Sequence, residues 1–303
     1  MNAADWLVSL PERAAAELEA LVADLRRDPL PTVLLSPPVT GFDACRAVMA
    51  EMGERLRGPV ALAVLDRVPV ERFSEEENRA IGWVLGSLLG RLVAQKWDGT
   101  MLYDVRDTGK RLEYGVRRSV TNLELQFHTD APWLALPPEH VGLLCLNQAP
   151  EGGVSRFVSL ADAHDTLGRR APGLLKRLYE AFPFDRQAEH AAEDAKVTWQ
   201  PVFAEGVDGP VCRYNRALIE TGGELAGETL DQEGREALDA LRDLVESPQR
   251  WVELTMERGQ LQYLDNRRFA HARTPFKDGE AAHQKRHLIR LWNRDEGRRT
   301  FHG

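Results

Sequence analysis

Cysteine is scarce: Cys45, Cys145 and Cys212 stand far apart, with no Cys-x-x-Cys pair among them. That excludes a disulfide framework and a cysteine-built zinc cluster, and it fits a reducing compartment. Cys145, inside the apolar run 141–146, reads as a small core hydrophobe. No apolar run reaches the roughly 18 residues that a membrane-spanning helix needs. A signal-peptide core is missing as well, because Trp6, Leu7 and Val8 give way to Pro11, Glu12 and Arg13. Positive charge is in deficit, with 39 Lys and Arg against 47 Asp and Glu for a net charge of −8. A partner held by its phosphates calls for the opposite balance, so nucleic acid is not expected. Arg267-Arg268 and Arg298-Arg299 read as solvated surface. These absences lead to the expectation of a cytoplasmic protein that meets a small molecule and neither nucleic acid nor membrane. Nothing in the pattern decides between a monomer and a homo-oligomer.

What is present is ordinary for a globular chain: 303 residues, 43% apolar and 28% charged. A chain this long buries roughly three quarters of its unfolded surface, so its core needs no staples. The first hundred residues predict helices at 11–27, from about 40–43 to 57, and from Ser74 through an apolar stripe at Trp83, Leu85, Leu88 and Leu92. Ser74 followed by three glutamates is an N-cap with an acidic first turn. Short strands are predicted at 32–35 and 60–65. From residue 101 the pattern turns to short β segments at 101–105, 122–130, 141–146, 197–203, 211–214, 251–256, 260–265 and 287–292. Helices are predicted at 161–182, divided by Pro172, and at 231–245, with 220–228 read as a Gly-rich loop. The expected class is α+β: a β-barrel-like core carrying inserted helices, with no composition break that marks a domain boundary.

His128-Thr129-Asp130 carries the chemistry. Residues two apart on a strand project to the same side, so one imidazole and one carboxylate would share a face. A second imidazole, His271, placed after the turn Asp265-Asn266, would complete two nitrogens and one oxygen around a metal. Such a set leaves positions open, as in non-haem Fe(II) oxygenases. On 122–130 the even positions Asn122, Glu124, Gln126 and His128 share that face. On 285–292 Arg286 and Arg290 alternate with apolar residues, and buried guanidiniums of this kind call for an anion, most naturally a carboxylate.

Phe127-His128-Thr129-Asp130, Gly152-Gly153-Val154-Ser155, the run from Asp265-Asn266 to His271, and Arg286 to Trp292 resemble, in order, the taurine dioxygenase and clavaminate synthase-like family. The resemblance spans about residues 100–295 and implies a double-stranded β-helix, or jelly-roll, core of a single domain over 1–303. It implies Fe(II), 2-oxoglutarate and O2, with His128, Asp130 and His271 as metal ligands. Arg286 and Ser155 would take the distal carboxylate of 2-oxoglutarate. Arg290 would meet an anionic group of the primary substrate or help hold the cosubstrate. The family's halogenases lack the carboxylate ligand, so Asp130 points to oxygen transfer. The implied activity is hydroxylation of an aliphatic C–H in a small amino acid or related carboxylate, with succinate and CO2 released. Desaturation, ring closure or epimerisation at the same site, or action on a carrier-tethered substrate, is the alternative. A non-catalytic module that binds a small dicarboxylate is a further reading.

Glu124 departs from the neutral amide of taurine-specific relatives. It would either hold a substrate ammonium or pair internally with Arg117, Arg118 or Arg290. Asn122, Gln126, Trp133 and Tyr103 are further pocket candidates, with Arg213 and Asn215 more remote ones. Asp130→Ala is expected to abolish Fe(II)-dependent turnover with the fold nearly intact.

Overall fold

The structure is a computed structural model that describes residues 5–113, 115–207 and 209–303. Three amphipathic helices come first: α1 (Glu12–Arg27), α2 (Asp43–Arg57) and α3 (Glu75–Leu89). Helix α1 buries Ala14, Leu18, Leu21 and Val22, the stripe its 3.6-residue spacing predicts. Helix α3 opens with a capping box, in which the Glu77 amide donates to Ser74 Oγ at 3.2 Å and the Ser74 amide to Glu77 Oε2 at 2.8 Å. Caps of this kind contribute about 1 kcal/mol.

The helices cover one face of a six-stranded sheet, whose strands in spatial order are Leu7–Ser9, Leu62–Asp66, Leu261–Asp265, His140–Asn147, His287–Asn293 and Tyr103–Val105. Strand alternation divides its side chains between two cores. Leu65, Leu144, Tyr263, Ile289 and Leu291 pack toward the helices. Val64, Val141, Cys145, Leu288 and Trp292 face the other way, into a core shared with a four-stranded sheet. That second sheet runs Val252–Leu254, Ser155–Ser159, Phe269–Arg273 and Leu125–His128. Helices α4 (Leu160–Arg170), α5 (Pro172–Leu178), α6 (Arg216–Ala226) and α7 (Gln232–Val245) complete the chain, with a hairpin of Ala181–Asp185 and Val197–Pro201. Among the described residues no helix is long and apolar enough to cross a membrane.

Four expectations need correction. Residues Thr32–Leu34 form a 3-10 turn entered from Pro31; with prolines on both sides the segment cannot offer a regular ladder of amides. Residues 220–226 belong to α6, whose glycines are a packing device: a Cβ on Gly222 would lie 2.4 Å from the Pro183 carbonyl oxygen. Phe182 lies on a strand beyond α5, because the chain leaves the helix at Tyr179. Arg267 and Arg268 are half-buried clamps, donating to the carbonyls of Pro137 and Gly58 at 3.1 Å each.

Candidate active site

The Leu125–His128 strand pairs antiparallel with Phe269–Arg273, setting His128 directly opposite His271. His271 is thus on the strand that follows the turn after Asp265. Two steps from His271 to Arg273 are matched by three from His128 to Leu125, a β-bulge. The bulge breaks the period-two face on which the reading of 122–130 relied. Leu125 now lines the same cavities as His128, whereas Glu124 and Asn122 are exposed and line neither.

Asp130 lies beyond the strand, so tertiary contacts aim it. Thr129 is held by Tyr214, donating its amide to the Tyr214 carbonyl at 2.7 Å and accepting the Tyr214 amide on Oγ1 at 3.0 Å. Asn266 then grips the Asp130 backbone, accepting its amide at 2.7 Å and donating to its carbonyl at 3.1 Å. The Asp265-Asn266 turn near His271 therefore also places the carboxylate.

The result is a compact N, N, O cluster. Asp130 Oδ1 stands 3.4 Å from His128 Nε2 and 3.7 Å from His271 Nε2, and one ligand atom from each residue lies within 4.8 Å of the others. His128 Nδ1 donates to the Gln126 carbonyl at 2.8 Å, which leaves the lone pair on Nε2 facing the carboxylate. Burial foremost, then the neighbouring His128, pushes His271 down to about 3, so its ring is neutral at ordinary pH. Burial works against the Asp130 charge. Arg290 at 3.0 Å and the two imidazoles outweigh it and hold the carboxyl well below the usual range. Two imidazoles, that of His271 neutral, and an ionised carboxylate suit a divalent cation that keeps open positions.

A pH dependence follows from His271. Its folded value lies below the ordinary value near 6.5, so the stabilisation of the neutral form is complete above about 6.5 and is lost as pH falls toward about 3. Metal-free wild-type protein should therefore lose denaturation midpoint more steeply between pH 6.5 and 4 than His271→Gln. Parallel curves in urea titrations would contradict a buried neutral imidazole.

The cluster sits where two cavities meet; His128, Asp130, Ser119, Leu125 and Arg290 line both. The narrower one is lined by Ser155, Arg273, Arg286 and Gln262. Arg286 is brought there by the Gly152-Gly153 turn: Gly153 adopts φ +71°, and a Cβ on it would lie 3.2 Å from Arg286 Nε. Burial lowers Arg286 to about 10, still cationic at neutral pH, and no ion pair to a side chain is found for it among the described residues. Its Nη1 is buried without a partner among those residues. Ser155 is directly opposite Arg273 across the strand pair. Arg273 was missed in sequence. It stands two residues after His271, and reading 269–273 as a strand would have put both on one face.

The wider cavity, about 390 Å³, is lined by Trp133, Gln126, Arg117 and Asn215 among others. Arg290 reaches it already engaged, with Nη1 on Asp130 Oδ2 at 3.0 Å and Nε donating to Gln95 Oε1 at 2.7 Å. Its guanidinium lies 4.8 Å from the Tyr103 ring centre and 4.9 Å from that of Trp292. Among the described residues four buried donors along this wall have no partner: Arg117 Nε, Ser119 Oγ, Trp133 Nε1 and Arg290 Nη2. Arg117 pairs with Glu189 at 2.6 Å, and Arg118 donates to the Glu124 backbone carbonyl at 3.3 Å. Among the described residues no ion pair joins the exposed Glu124 carboxylate to Arg117, Arg118 or Arg290, and it lines neither cavity. Asn215 caps α6 through the Leu218 amide at 3.2 Å, and Arg213 faces a different cleft, donating to Ala135 at 2.9 Å.

Known proteins show the same arrangement of elements. The chain is 29% identical over 305 residues to FR-33289 synthase of Streptomyces rubellomurinus, covering 99% of this chain and 88% of that one. It is 23% identical to a taurine hydroxylase-like protein of Stachybotrys chartarum, with 96% and 76% covered. Among solved structures, asparagine oxygenase with Fe(II), 3-hydroxyasparagine and succinate superposes with a TM-score of 0.70 at 19% identity, covering 96% of this chain and 94% of that one. The non-haem iron oxygenase OrfP with iron and α-ketoglutaric acid gives 0.66 at 16% identity, again with 96% and 94% covered. The profile of the family described as Taurine catabolism dioxygenase TauD, TfdA family matches residues 44–292, from the start of α2 to the Arg290 strand. The chain belongs to that family of dioxygenases.

Proposed function

We propose that this chain hydroxylates an aliphatic C–H bond of a small amino acid or related carboxylate, converting 2-oxoglutarate and O2 to succinate and CO2. The observation that carries the reading is the His128, Asp130 and His271 cluster at the junction of a narrow arginine-lined cavity and a wider one. On this reading the three residues hold Fe(II), and Arg286 with Ser155 takes the distal carboxylate of 2-oxoglutarate. The two sheets form the double-stranded β-helix of one domain over 1–303.

Iron with 2-oxoglutarate supplies the oxidising chemistry when bound; the protein supplies position and dryness. His128 Nδ1 on the Gln126 carbonyl fixes the ring for a ligand through Nε2. The unpartnered donors of Arg290, Arg117, Ser119 and Trp133 suit a substrate carboxylate, since a buried donor left unmade costs about 1–3 kcal/mol. Solved relatives hold hydroxylated amino acids, 3-hydroxyasparagine and 3-hydroxy-L-arginine, beside succinate. That supports an amino acid or a close derivative here.

The test is anaerobic loading with Fe(II) and 2-oxoglutarate, then O2 with a panel of amino acids and their N-acyl and carrier-bound forms. The expected result is stoichiometric succinate and a product heavier by about 16 mass units, the oxygen transfer that a ligand carboxylate allows. A loss of about 2 units would instead mark desaturation or ring closure. No succinate with any substrate would leave a dicarboxylate-binding module and reject the oxygenase assignment.

A further inference from the structure

The narrower cavity holds more cationic and amide capacity than one arginine and one serine supply. Arg273 is 95% buried, since 5% of its surface is exposed, and lines this cavity beside Arg286. Its Nη2 donates to the Thr121 carbonyl at 3.0 Å and also to that of Leu123, while Nε and Nη1 have no partner among the described residues. Both guanidiniums stack on one ring: Arg273 lies 4.7 Å and Arg286 5.3 Å from the centre of Phe276. Gln262, which lines the same cavity, is wholly buried on a central strand with neither amide atom partnered among the described residues. A glutamine in such a place normally has its hydrogen bonds made. Two buried cations side by side with no carboxylate are unfavourable until an anion arrives.

We propose that Arg273, with Gln262, is a second positioning group for the distal carboxylate of the cosubstrate, so that this end is read by two guanidiniums rather than one. The proposal rests on the oxygenase reading above. A full carboxylate offers two charged oxygens to the two forks, whereas an amide of the same shape offers one acceptor and turns two N–H donors toward cations.

The experiment is calorimetric titration of zinc-loaded protein, in which no turnover intervenes, with 2-oxoglutarate and with its distal amide, 2-oxoglutaramate. Wild-type protein should bind the acid at least about a hundredfold more tightly than the amide. In Arg273→Gln that ratio should shrink about tenfold, and Gln262→Leu should weaken the acid about tenfold. Arg273→Lys should restore part of the ratio. A purely structural Arg273, anchoring Thr121 and Leu123, would weaken acid and amide alike and lower the melting temperature without moving the ratio. An unchanged ratio in Arg273→Gln, together with unchanged acid affinity in Gln262→Leu, would overturn the assignment. Wild-type protein that binds no 2-oxoglutarate would instead overturn the oxygenase reading on which it stands.

Discussion

Asp130→Ala is expected to abolish succinate formation and, against the expectation from sequence, to destabilise the fold. On the proposed role as a metal ligand its loss should cost roughly a thousandfold or more in turnover, beyond the 10–100-fold typical of outer partners. The structural cost comes from the other oxygen. Asp130 Oδ2 is the ion-pair partner of buried Arg290 at 3.0 Å and accepts the Trp292 indole N–H at 2.8 Å. Removing one partner of a buried pair leaves an uncompensated charge, typically a loss of about 3–5 kcal/mol. Asp130→Asn keeps an acceptor for Trp292 and should lose less stability while losing comparable turnover. Melting of the metal-free proteins beside succinate assays checks both halves. Near-wild-type turnover would remove Asp130 from the metal site, and an unchanged melting temperature would remove it as the counter-ion of Arg290.

The second large effect belongs to Arg286. In Arg286→Met the KM for 2-oxoglutarate should rise about a hundredfold, the scale of truncating one side of a buried charged hydrogen bond. The ligand-free protein should at the same time become more stable, because a buried cation with no ion-pair partner among the described residues is replaced by an apolar side chain. The stabilisation that 2-oxoglutarate confers on wild-type protein should then be largely lost. Melting curves with and without 2-oxoglutarate separate these opposite signs. An unaltered KM would mean that the distal carboxylate lies elsewhere.

Much of the architecture was legible because local rules and packing agreed. The Ser74 capping box, the stripes of α1 and α7, and the alternation along the Arg290 strand report a periodicity that burial later satisfied. The misreadings share one cause: a residue whose local preference pointed one way was used for a long-range contact. Gly222 looked like loop chemistry and is where a helix approaches the backbone of Pro183. Glu124 looked like a pocket residue under strict alternation, which a bulge between His128 and Leu125 interrupts. Arg273 carries no signal until 269–273 is recognised as a strand, which the short, mixed sequence there does not announce.

By itself the chain determined which donors exist and their order: an imidazole two residues before a carboxylate, a distant second imidazole, and paired arginines near the end. Those are properties of residue type and spacing, independent of neighbours. Only the tertiary structure decided which of them meet. His271 faces His128 through strand pairing between residues 143 positions apart in sequence, and Asp130 is turned toward both by Asn266 and Tyr214. Convergence of this kind depends on register and on side-chain clamps between remote segments, and no local periodicity encodes either.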